Sequence, residues 1–140
     1  MKLRLAIVAA FAALIVGGSL ALAKEPQGQI GISAELLLAE AFAGDPSKEV
    51  NVQLYTFLPG AATSWHIHPE AHEIAYVVEG TFTFQREGEE PITLRTGEAE
   101  YLAPDIVHRG MNEGDIPVKL FVVRIKPKEK PLAEDIPPPR

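Results

Sequence analysis

From Val50 to Ile125 the sequence is written in short β-type runs, and turn residues stop each run before it grows long. "NVQLYTFLPG" alternates Val52, Leu54, Thr56 and Leu58 against Asn51, Gln53, Tyr55 and Phe57, then halts at Pro59-Gly60. "IAYVVEGTFTFQ" is rich in β-branched and aromatic residues and breaks at Glu79-Gly80. "ITLRTGEAEYLAP" gives two short strands around Thr96-Gly97, "IVHRGMN" precedes the turn "EGDIP", and "VKLFVVRI" (Val118–Ile125) is a strong strand. Short strands at such close spacing predict an all-β antiparallel sandwich or barrel. At 140 residues the chain holds one domain at most.

The first residues stand outside that pattern. "MKLRLAIVAAFAALIVGGSLALAKEPQ" has a basic start (Lys2, Arg4), an apolar run from Leu5, and Ala21-Leu22-Ala23 at its end. The apolar run is long enough to span a bilayer at about 1.5 Å per residue. The small-x-small ending and the polar "KEPQGQ" favour a signal peptide over residues 1–23, cleaved after Ala23, and a periplasmic or secreted product. No cysteine lies near that site to take a lipid, and no twin-arginine pair is present, so export of an unfolded chain is expected. Cleavage removes Lys2 and Arg4 and no acidic residue, so the formal charge moves from −6 to −8. An acidic product makes nucleic acid and anionic membrane poor partners. The chain has no cysteine, which excludes disulfides and thiolate chemistry. Stability must come from an apolar core, with metal or a partner subunit as further sources.

Residues 24–49 read as a polar lead and a first element. Composition alone predicts a helix over Ala34–Ala43, capped by Ser33 and ended by Gly44 and Pro46. Residues 50–126 are the β-rich body. Residues 127–140 form a Pro-rich, charged tail, expected to be extended, and either disordered or laid along a neighbour.

"SWHIHPEAHEIAYVVEG" (Ser64–Gly80) holds three of the four histidines. In a strand, residues of equal parity share a face, so His66 and His68 point together. Glu73 follows the break at Pro69-Glu70-Ala71, and the remaining histidine is His108. Three imidazoles and a carboxylate suit one divalent transition metal (Mn, Fe, Co, Ni, Cu or Zn) better than calcium or magnesium.

These residues resemble the cupin motifs. The first motif, G-x5-H-x-H-x3,4-E-x6-G, matches at Gly60, His66, His68, Glu73 and Gly80. The second, G-x5-P-x-G-x2-H-x3-N, matches at Gly97, His108 and Asn112; Ala103 and Asp105 replace its usual proline and glycine. The resemblance covers roughly Val50–Ile125. It implies a single jelly-roll β-barrel with the metal inside, held by His66, His68, Glu73 and His108. It also implies a strand at Glu35–Ala39, against local composition.

Several residues have plainer readings. A lone histidine in a strand is usually core or surface; the spacing of four ligand-type residues is what favours a metal here. His72 has parity opposite to Glu73 and reads as solvent-facing, and Glu70 reads as a loop charge. Asn112 suits either an interior polar role or a turn. Arg109 is expected to face out, and Arg124 shares parity with Val118, Leu120 and Val122, which leaves its place open.

The leading functional expectation is a metal-dependent oxidoreductase of the dioxygenase type acting on a small molecule. Glu73 would be its catalytic base, as the resemblance implies. The alternative is a non-catalytic periplasmic binder of metal or a small ligand. A site left empty ranks last, because four buried polar groups would then need other partners. By analogy with similar small proteins, a homodimer is expected.

Overall fold

The computed structural model describes residues 29–140, so the expected signal peptide over residues 1–23 lies outside the described residues. The strands in chain order are β1 (Ile32–Ala41), β2 (Lys48–Phe57), β3 (His66–Ile67), β4 (His72–Glu79), β5 (Thr81–Arg86), β6 (Ile92–Arg95), β7 (Ala99–Leu102), β8 (His108–Met111), β9 (Val118–Pro127) and β10 (Glu134–Asp135). They form two five-stranded sheets, ordered β1-β2-β9-β4-β7 and β10-β3-β8-β5-β6. Every pairing is antiparallel. This is the all-β jelly roll that the sequence predicts. Among the described residues there is no helix, and so none long and apolar enough to cross a membrane.

Strand parity decides what goes inside. Along β4, Glu73, Ala75 and Val77 are buried while His72, Ile74, Tyr76 and Val78 are exposed. Along β9, Val118, Leu120, Val122, Arg124 and Lys126 are buried. The core between the sheets is Phe57, Val77, Phe82, Phe84, Leu94, Leu102, Val118, Leu120 and Val122. Each such side chain contributes about 1.5–3 kcal/mol by leaving water. Packing is close under β8. A Cβ added at Gly110 would lie 2.3 Å from Cζ of Phe82, so glycine is what lets the end of that ring approach the strand.

The segment expected to be helix over Ala34–Ala43 is strand as far as Ala41, and Ala43 lies in the turn that follows. The strand's nine residue pairs with β2, from Ile32↔Phe57 to Ala41↔Glu49, override local propensity. A register shift between Leu36 and Leu38 marks a bulge, and Leu36, Leu37 and Leu38 are all exposed. The tail also departs from expectation. It turns back after β9, and Glu134–Asp135 join the second sheet beside β3.

Candidate metal centre

His66 lies on β3 directly opposite His108 on β8, and their ring centroids are 4.2 Å apart. His68 follows β3 with its ring 4.9 Å from that of His66 and 5.0 Å from that of His108. All three rings are buried, and one nitrogen of each lies within 4.8 Å of the other two. Phe84 stacks on His108 at 5.2 Å and 11° and backs the cluster with an apolar wall.

The other ring nitrogens settle which atom of each imidazole is free. Nδ1 of His66 donates to the carbonyl of Ser64 at 2.9 Å, and Nδ1 of His108 to that of Ile106 at 2.8 Å. Nδ1 of His68 donates to the carbonyl of Leu132 at 2.5 Å. A proton on Nδ1 leaves Nε2 as a lone-pair donor in each ring. This is the arrangement in which metal-binding histidines are held.

Glu73 reaches the cluster from β4. Its Oε2 is 2.8 Å from Nε2 of His68, although no well-aligned hydrogen bond joins them and that nitrogen is a buried atom without a partner. Two lone-pair atoms facing each other at this distance call for a positive charge beside them, either a proton on Nε2, which makes an ion pair with Glu73, or a metal ion. The donor set therefore fits a transition metal ion, and the orphaned Nε2 is the observation that tests the fit.

The same Glu73 oxygen accepts a hydrogen bond from Nε of Arg124 at 2.6 Å. The two residues are cross-strand neighbours in the β4–β9 register. Arg124 is buried and also donates from Nη1 to Oε1 of Gln53 at 2.9 Å and to the Tyr55 hydroxyl at 3.0 Å. Burial pushes the Glu73 carboxyl up, but Arg124 and then His68 outweigh it and hold it well below the usual carboxylate range. Burial likewise opposes the Arg124 charge, and Glu73 and Tyr55 more than restore it. Sequence parity groups Arg124 with Val118, Leu120 and Val122 but leaves its place open; it lies inside, on a partner 51 residues away.

The cavity over these residues holds about 330 Å³. The histidines, Glu73 and Arg124 form its polar floor; Phe57, Phe82, Leu120 and Val122 are among its apolar walls. That size and mix suit a small molecule. His72 stays outside, exposed, with Nδ1 2.7 Å from the Tyr101 hydroxyl. Asn112 fills both roles open to it. It is buried, donates to the carbonyls of Phe57 and Ile116, and accepts from the amide of Gly114. Arg109 is half-buried, with its guanidinium 4.9 Å from the Trp65 ring centre.

Residues 53–124 match the profile of the Cupin domain family. The chain belongs to the cupin family. Among curated relatives, this cupin is similar to the protein SchB of Streptomyces halstedii, 33% identical over 95 residues that cover 68% of this chain and 67% of SchB. Among solved structures it resembles a cupin-like protein from Thermotoga maritima, with a TM-score of 0.60, 23% identity and 75% of each chain covered. It also resembles a recombinant oxalate oxidase solved with glycolate, with a TM-score of 0.58 and 21% identity, covering 78% of this cupin and 57% of the oxidase.

The buried histidines give the metal-free cupin a defined pH response. Burial, then the neighbouring His108 and His68, lower His66 to about 3. Burial lowers His108 to about 4, with Glu73 opposing and His68 adding to the fall. Both start from 6.5 in an unfolded chain, so between about pH 3 and 6.5 the unfolded chain binds more protons. Stability therefore rises with pH across that window and is lost on acidification. Glu73 adds a loss of the same sign as pH falls below 4.5. Thermal melts of metal-free protein should show a melting temperature that falls steadily from pH 6.5 downward; a flat profile to pH 4 would mean that the rings are not held neutral.

Proposed function

We propose that this cupin is an exported protein that holds one divalent transition metal on His66, His68, His108 and Glu73. On this reading it acts on a small molecule in the cavity as a metal-dependent oxidoreductase of the oxygenase type. The observation that carries the metal centre is the set of three Nδ1–H donors on main-chain carbonyls, which turns three Nε2 lone pairs into one buried space. A metal bound there would supply Lewis acidity and a position for dioxygen or substrate. The protein's own part is to fix the three rings, keep Glu73 ionised through Arg124, and exclude water with the phenylalanine walls. Three nitrogens and one oxygen favour copper or zinc in a compartment where metals compete freely.

The oxidoreductase class rests on analogy with the oxalate oxidase of the same fold. One observation favours the second reading, a binder without turnover. The Arg124 pair holds Glu73 far below the usual carboxylate range, which makes it a weak proton acceptor and suits a holding role better than that of a base. The exposed Ile74, Tyr76, Tyr101 and Phe121 on the outer face of the first sheet support the expected homodimer, which sedimentation would read.

Protein recovered from the cell envelope should begin at Lys24 and carry about one equivalent of metal by elemental analysis. Less than about a tenth of an equivalent of any metal would overturn the metal centre. Oxygen uptake with flavonols, thiols or dicarboxylates then separates the two readings. Turnover with any of them identifies an enzyme; binding without turnover identifies a binder.

A further inference from the structure

Two of the three histidines are oriented locally. His66 and His108 each donate to the carbonyl of the residue two places back, Ser64 and Ile106. His68 instead depends on Leu132, 64 residues further along the chain. Leu132 belongs to the arm that follows β9. The arm leaves the first sheet where the Lys128 amide donates to the Ser47 carbonyl at 2.9 Å. It then crosses to the second sheet, where Glu134 and Asp135 pair with Ile67 and His66 and the Ile136 amide donates to the Trp65 carbonyl at 2.7 Å.

β3 needs this support. It is two residues long, and its register with β8 consists of the single pair His66↔His108. On its other side the arm is its neighbour in the sheet. The arm also borders the cavity, which Ala133 and Asp135 help to line. The Ser64 hydroxyl donates to Oδ1 of Asp135 at 2.5 Å and accepts from Nε2 of Gln29 at 2.9 Å. Gln29 lines the cavity as well, so a chain of side chains ties both ends of the described chain together across its rim.

We infer that the arm Lys130–Ile136 is a working part of the metal centre: its Leu132 carbonyl positions the His68 ring, and its strand holds β3 in place and covers the cavity. This rests on the metal-centre reading given above. With the arm gone, the His68 ring is free to turn and present either nitrogen, while His66 and His108 keep their local anchors. The arm thus sets how strongly metal is held without itself offering a ligand. Removal of a group that orients a ligand in this way weakens metal binding by about 10–100-fold.

The test compares the full chain with chains ending at Lys128 and at Ile136, each titrated with Co²⁺ and followed by calorimetry and by its visible absorption. The chain ending at Ile136 should match the full chain. The chain ending at Lys128 should bind about 10–100-fold more weakly and lose the Nδ1–H resonance of His68. Should that shorter chain fail to fold, trypsin applied to the folded full chain provides the same comparison. Lys126 and Lys130 each precede proline, so Lys128 is the cleavable lysine of that segment, and it is exposed. Equal Co²⁺ affinity with and without the arm overturns the inference and leaves the metal centre standing. An equal loss in the chain ending at Ile136 overturns it too, because the effect would then lie outside the arm. A full chain that binds no Co²⁺ overturns the metal-centre reading itself.

Discussion

Replacing His66 and His108 together by alanine is expected to abolish metal binding while the two sheets remain folded. The change removes two of three converging nitrogens and leaves His68 with Glu73, which is already engaged by Arg124. Two donors do not hold a transition metal against water and buffer, so metal content should fall below about a tenth of an equivalent. The strands that carry these residues persist through main-chain pairing with β5, β10 and each other. Elemental analysis reads the metal and far-ultraviolet circular dichroism reads the sheets. A double variant that keeps a full equivalent of metal would place the centre elsewhere.

The second large effect concerns Arg124. Arg124→Met keeps an unbranched apolar stem and removes the guanidinium and its charge, so Glu73 is left ionised and buried without its cation. Removing one partner of a buried pair costs about 3–5 kcal/mol. Metal-free protein should lose about that much in urea unfolding. Metal should narrow the loss, because a bound cation faces the same carboxylate. Adding Glu73→Gln should recover most of it, since no charge is then left alone. A cost under about 1 kcal/mol for the single change would mean that Glu73 does not depend on Arg124.

The sequence made much of the centre legible because strand parity and motif spacing act over short distances. His66, His68, Glu73 and His108 do all face one interior, and His72 does lie outside it. Arg124 shows where this reasoning stops. Parity groups it with Val118, Leu120 and Val122 and still leaves its place open, because what draws a charge inside is the β4–β9 register with Glu73, which no local pattern encodes. β2 adds the same lesson from the other side. Its inward residues include the polar Gln53 and Tyr55, because Arg124 needs acceptors there. Leu132 is harder still. It acts through a main-chain carbonyl, and a carbonyl leaves no mark on residue identity. At Glu35–Ala39 the strand comes from pairing with β2, so composition points to a helix and only the family resemblance points to the strand.

The place of β9 in the first sheet has a consequence for how the protein comes into being. It sits between β2 and β4, so both wait for a strand that the ribosome makes almost last. A nascent chain that ends before Val118 has the β1–β2 hairpin but no middle to its first sheet. Assembly is therefore a late and nearly all-or-none event, and chains dominated by such distant pairings fold in about milliseconds to seconds. During that interval Leu36, Leu37 and Leu38 stand on an unfinished sheet. The bulge between Leu36 and Leu38 kinks that edge, and a kinked edge is a poor template for pairing with a second chain.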